Sequence, residues 1–195
     1  MRIIVTGGAS SGKSEIAEQL AQKISNGSMA YIATMACIDN ECLLKIKKHQ
    51  AMRKNKGFTT IEATHEISQC QKKLENVDTV LIECLSNLLA NELFIAGKSE
   101  EGACKQIFSD INVLSERVNN IIIVSNDIFS DMAKYDEITS RYVKTLGFLN
   151  SELARSASVV IESVCSIPII HKGGEMIQDS QLPGPEGQGF QETFG

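Results

Sequence analysis

Gly7-Gly8-Ala9-Ser10-Ser11-Gly12-Lys13-Ser14 follows the apolar run Ile3-Ile4-Val5 and leads into a stretch of helical periodicity. It satisfies G-x-x-x-x-G-K-[ST] in the strand, loop and helix setting that gives the pattern its meaning. Glycines let successive backbone N–H groups turn inward around phosphate oxygens, and the helix that follows adds its positive N-terminal end. Lys13 is the residue that reaches the β- and γ-phosphates, and Ser14 the one that holds Mg²⁺. All eight residues, Gly7, Gly8, Ala9, Ser10, Ser11, Gly12, Lys13 and Ser14, are therefore expected to contact a nucleoside triphosphate.

Outward from this loop, apolar runs alternate with amphipathic stretches. Ile3–Thr6, Met29–Thr34, Phe58–Glu62, Thr79–Glu83, Ile121–Ser125 and Val159–Val164 read as strands, with helical patterns between most of them. Parallel strands need crossovers of a dozen residues or more, so the alternation predicts an α/β fold. With the loop, this is a P-loop NTPase type: a mostly parallel twisted sheet with helices on both faces. The length of 195 residues suits one domain. Composition is even through 1–172, whereas 173–195 carries Pro183-Gly184-Pro185, Gly187 and Gly189 without periodicity and reads as a mobile tail.

A net charge of −5 argues against a nucleic-acid partner. Lys45, Lys47, Lys48, Arg53, Lys54 and Lys56 nevertheless form a local basic stretch without an acid, suited to a small anionic ligand. Six cysteines without a C-x-x-C pair fit reduced thiols better than zinc. Ile3-Ile4-Val5 is too short for a signal peptide and no run reaches membrane-spanning length, so a cytoplasmic protein is expected.

Two acids stand where a parallel sheet places its ligands, at the carboxyl ends of strands. Glu83 ends Thr79-Val80-Leu81-Ile82, the position from which an acid helps hold Mg²⁺ directly or through water. Asp127 follows Ile121–Ser125 in the same way. From Asp39, an N-cap candidate, a helical pattern puts Lys45, His49 and Arg53 on one face, with Lys48 beside them. Surrounding cations keep an imidazole neutral and hence nucleophilic, and the same cations neutralise a triphosphate. His65 and His171 lack such surroundings and read as surface residues.

These features resemble the bifunctional adenosylcobinamide kinase and adenosylcobinamide-phosphate guanylyltransferase family of cobalamin biosynthesis, from Met1 to about Lys172. Val5 to Ser14, Tyr31-Ile32-Ala33-Thr34, and Asp39 and Glu41 leading to Lys45-Ile46-Lys47-Lys48-His49 with Arg53 carry the likeness. So do Phe58-Thr59-Thr60-Ile61-Glu62, Leu81-Ile82-Glu83-Cys84, Val124-Ser125-Asn126, Leu146-Gly147 with Leu149-Asn150, and Ser166-Ile167-Pro168.

The resemblance implies phosphorylation of the aminopropanol arm by ATP or GTP, then transfer of GMP from GTP through a GMP-histidine intermediate. On this likeness His49 and Lys13 are catalytic, and Thr34, Met35, Gln50, Arg53, Glu62 and Glu83 join the loop in binding nucleotide. It further implies Ser14 and Glu83 as the metal pair, a corrinoid acceptor and a homotrimer. The sequence departs from the family where Asn126-Asp127 runs into Ile128-Phe129-Ser130-Asp131-Met132 without glycine or proline, and where Val143-Lys144 replaces an Arg-Asp pair. An enzyme that keeps one of the two activities or acts on a related acceptor is the alternative these departures suggest. A GTP-binding switch is disfavoured, since Asn55-Lys56 continues into Gly57-Phe58 rather than an Asn-Lys-x-Asp motif.

Overall fold

The computed structural model describes residues 1–36, 56–128, 135–177 and 181–182. Each expected strand is present, with ends shifted by a residue or two: β1 (Arg2–Gly7), β2 (Ser28–Ala33), β3 (Phe58–Glu62), β4 (Val77–Glu83), β5 (Asn120–Val124) and β6 (Val159–Val164). A seventh, β7 (Ile167–Lys172), was not foreseen. The sheet order is β3-β2-β4-β5-β1-β6-β7, with β7 alone antiparallel to its neighbour.

Four α-helices flank the sheet among the described residues: α1 (Lys13–Ile24), α2 (Leu85–Ala90), α3 (Glu100–Ser115) and α4 (Glu137–Ser156). A π-helical turn, Asn91–Ile95, extends α2, and a 3-10 helix, Ile67–Leu74, precedes β4. Strand alternation sorts the core into two layers. Ile3, Val5, Leu81, Ile122, Val124 and Ile161 pack under Ile16, Ala17, Leu20 and Ala21 of α1. Ile4, Ile32, Val80, Ile82, Ile121 and Ile123 face the other way, against Ile107, Ile111 and Leu114 of α3 and Leu146, Leu149 and Leu153 of α4. β5 is buried along its whole length, as expected of a central parallel strand covered on both faces.

Side chains fix the helix starts. Ser99 accepts from the Gly102 N–H at 3.2 Å and Asp136 from the Thr139 N–H at 2.7 Å, opening α3 and α4. β7 adds to the edge through a two-residue turn whose central residues, Cys165 and Ser166, have φ of 50° and 63°. Positive φ at both positions matches the twist of a tight hairpin. Beyond β7, Gly174–Met176 forms a 3-10 turn and Ile177, 4% exposed, joins the core layer beneath α1.

Candidate active site

The strand pairings set Glu62, Ala33, Glu83, Val124 and Val5 in one row across the sheet. The loops that follow these residues gather along one edge, the carboxyl ends, where the phosphate loop also lies.

The loop leaves β1 at Gly7 and enters α1 through Gly12, whose φ of 88° suits a residue without Cβ. Lys13 is 8% exposed, and its Nζ donates to the Gly8 carbonyl at 2.9 Å, so the ammonium lies across the loop. Ser14, one residue on, donates its hydroxyl to Glu83 Oε1 at 2.5 Å. Glu83 reaches it because alternation along β4 sends Leu81 and Glu83 to the α1 side and Ile82 to the other. The second carboxylate oxygen, Oε2, is buried without a hydrogen-bond partner. A hydroxyl and a carboxylate oxygen in contact, beside a buried oxygen with unused lone pairs, fit the hard, oxygen-preferring Mg²⁺ expected from the sequence.

Glu62 closes β3 on the same side of the sheet as Glu83 and is exposed. β2 lies between the strands of the two acids, which separates them by about 10 Å at the usual strand spacing. Thr34 is fully buried. Its N–H donates to the Glu83 carbonyl at 3.0 Å, its hydroxyl to the Cys84 carbonyl at 2.8 Å, and its own carbonyl accepts from Asn91 at 2.7 Å. All its polar groups thus hold β2 to β4 and the end of α2, and Met35, the next residue, is half-buried. Asn91 also donates to the Thr64 carbonyl at 2.8 Å, tying the ends of β2 and β3 to the turn that extends α2.

On the other flank, Asp127 N–H donates to the Gly7 carbonyl at 2.9 Å, which brings the end of β5 against the start of the loop. Asn126 Nδ2 donates to Ser86 Oγ at 2.6 Å, and the Tyr142 hydroxyl to the Ser86 carbonyl at 3.0 Å. Burial, with Cys84 adding to it, pushes the Tyr142 phenol up to about 12. Burial likewise raises the Cys84 thiol. Both groups stay protonated at neutral pH and act here as polar packing.

His49, Gln50 and Arg53 lie outside the described residues, as do Asp39, Lys45, Lys47, Lys48 and Lys54. Lys56, the last cation of that stretch, pairs with Glu18 of α1 at 2.5 Å. His65 contacts the Thr64 hydroxyl at 3.0 Å and the exposed His171 meets Glu162 at 2.7 Å, in keeping with their reading as surface residues. Sequence reasoning missed a contact from far along the chain. The β6–β7 hairpin meets the underside of the phosphate loop, where Ser163 Oγ and the Ser166 N–H both donate to the Ser11 carbonyl, at 2.6 and 2.7 Å. Two isolated serines in a strand and a turn carry no pattern that announces such a role.

A phosphate loop between the first strand and first helix of a parallel sheet, its closing serine bonded to an acid from another strand, defines a P-loop nucleotide-binding protein. The family model for cobinamide kinase / cobinamide phosphate guanyltransferase matches residues 3–170, and the chain belongs to that family. The bifunctional adenosylcobalamin biosynthesis protein CobP of Pseudomonas aeruginosa is 30% identical over 173 residues, 89% of this chain and 98% of that protein. The bifunctional adenosylcobalamin biosynthesis protein CobU of Escherichia coli is 27% identical over 171 residues, 82% of this chain and 93% of that protein. Among solved structures, the flagellar accessory protein FlaH of Methanocaldococcus jannaschii superposes with a TM-score of 0.49 at 15% identity, over 88% of this chain and 77% of that one. Among the described residues no helix is long and apolar enough to cross a membrane.

Proposed function

We propose that this chain is a transferase with two activities. It phosphorylates the aminopropanol hydroxyl of adenosylcobinamide from ATP or GTP, then moves GMP from GTP onto the new phosphate. The observation that carries the reading is the Ser14–Glu83 contact beside Lys13, which gives the expected phosphate loop a metal-binding edge. Membership of the family supplies the acceptor class.

In the kinase step the acceptor oxygen bonds to the γ-phosphorus and gives up its proton to solvent, the bond from that phosphorus to the β-bridging oxygen breaks, and a nucleoside diphosphate leaves. Lys13 and the loop N–H groups hold the phosphates in line, so alignment and charge neutralisation do most of the catalysis. Mg²⁺, held by Ser14 and Glu83, would neutralise charge on the phosphate oxygens. In the transfer step a nitrogen of His49 attacks the α-phosphorus of GTP and pyrophosphate leaves. The acceptor phosphate then takes GMP from the phosphoramidate and restores the histidine.

Gly7 to Ser14, Thr34, Met35, Gln50, Arg53, Glu62 and Glu83 make up the nucleotide site in this reading, Thr34 also holding the strand ends that shape it. Residues 1–172 form the catalytic domain, 173–195 a tail anchored to it through Ile177, and the enzyme works in the cytoplasm as a homotrimer.

The test is incubation with Mg²⁺ and GTP labelled at the α- or the γ-phosphate, followed by denaturation. Acid-labile label is expected from α-labelled GTP only, abolished in His49→Ala, whereas Lys13→Ala loses both labelling and phosphorylation of cobinamide. Wild-type labelling in His49→Ala would refute the histidine intermediate. Cobinamide phosphorylation without any label would leave a single-activity kinase.

A further inference from the structure

The two invariant positions of the glycine pattern are shaped by the β6–β7 hairpin. A Cβ on Gly7 would lie 2.7 Å from the Ser163 carbonyl oxygen, and one on Gly12 would lie 2.9 Å from the Ser166 Cβ. Gly8, a variable position in the pattern, has nothing within 4 Å of its Cβ direction. The hairpin therefore presses on the loop at both ends. Between those two points its donors converge on one acceptor, the Ser11 carbonyl, through Ser163 Oγ at 2.6 Å and the Ser166 N–H at 2.7 Å.

A trans peptide directs its C=O and its N–H to opposite sides. Holding the Ser11 carbonyl down onto the hairpin turns the Gly12 N–H away from it, to the open side of the loop. That N–H lies at the N-terminus of α1, where it adds to the positive field for phosphate. Ser163 is 2% exposed, so its hydroxyl bonds Ser11 without competition from water. The Ser11 hydroxyl is itself buried without a partner and its N–H donates within the loop, to the Gly8 carbonyl at 3.3 Å, so the carbonyl is the group that ties this residue to the hairpin.

We propose that Ser163 is a positioning residue for nucleotide binding: its hydroxyl, with the Ser166 N–H, fixes the Ser11–Gly12 peptide in the orientation that receives phosphate. This rests on the nucleotide reading of the loop given above, and goes beyond it by assigning the loop's shape to a hairpin some 150 positions along the chain. Loss of the hydroxyl leaves the Ser11 carbonyl with one donor and lets the peptide rotate. The cost falls on binding, because the free loop must then be reordered by the ligand.

The test compares Ser163→Thr with Ser163→Val, two side chains of one shape that differ by the hydroxyl, and Ser163→Ala as the smaller variant. Affinity for mant-GTP with Mg²⁺, competition by inorganic pyrophosphate, and kinase KM and kcat are measured well below each thermal midpoint. Val and Ala are expected to weaken mant-GTP and pyrophosphate about tenfold and raise KM for ATP alike, with kcat within about twofold. Thr is expected to bind like wild type. Equal affinities for the Thr and Val variants, or an Ala variant that loses thermal stability while binding nucleotide normally, would overturn the role. Failure of the wild-type protein to bind mant-GTP would instead overturn the nucleotide reading, and this inference with it.

Discussion

Gly12 and Gly8 sit four residues apart in one loop and respond to opposite constraints. Gly12 has a φ of 88° and faces Ser166, whereas Gly8 faces open space. Gly12→Ala is expected to cost about 1–3 kcal/mol through backbone strain and overlap, and Gly8→Ala less than about 0.5 kcal/mol. Urea unfolding of the two variants checks this, and an Ala at position 8 as costly as one at 12 would refute it. The phosphate loop is legible in the sequence because its pattern is local, and the strand-ending position of Glu83 is what brings it to Ser14 from 69 residues away. What the sequence does not show of Thr34 is that its hydroxyl bonds the Cys84 carbonyl, a contact between distant segments that no local pattern encodes.

At the scale of elements, the six parallel strands were legible because each is an apolar run with clear borders, and β1, β4 and β5 bury most or all of their residues. β7 was missed for a physical reason. It is an edge strand that includes Pro168 and leaves Ile167 and Ile169 55% and 42% exposed, and its turn is Cys165-Ser166 rather than the Asn-Gly or Gly-X pair that marks a hairpin. The end of the chain yields a prediction of its own. Ile177 is buried beneath α1, and Lys23 donates to the Leu182 carbonyl at 2.8 Å. Deleting 183–195 is expected to leave the urea midpoint unchanged. Deleting 177–195 is expected to cost about 2–4 kcal/mol, as removal of a buried isoleucine does. Equal midpoints for the two truncations would show that this packing contributes nothing.

For the whole molecule, the crossover logic gave the class of fold, while the strand order required pairings between distant segments that no local pattern encodes. The two ends of the sheet have different duties. Asp78, at the end opposite the phosphate loop, accepts from Asn119 Nδ2 at 2.7 Å, Thr79 Oγ1 at 2.9 Å, and Ser25 Oγ and the Asn26 N–H at 3.1 Å each. These bonds, Asn119 first, hold its carboxyl at about 2 against an ordinary 3.8. A lowered folded-state value means that the stabilisation is present well above the unfolded value of 3.8 and is lost progressively as pH falls through about 2. Thermal melts between pH 5 and 2 are expected to show a smaller acid loss in Asp78→Asn than in wild type, and parallel curves would contradict this. At the opposite end Asn91 spends both hydrogens of its amide on carbonyls, those of Thr34 and Thr64, while only 6% exposed. Deamidation would therefore be more than a change of charge there. It would set a carboxylate oxygen against two carbonyl oxygens in a buried site, so the chemical ageing of one side chain would loosen two strands at once.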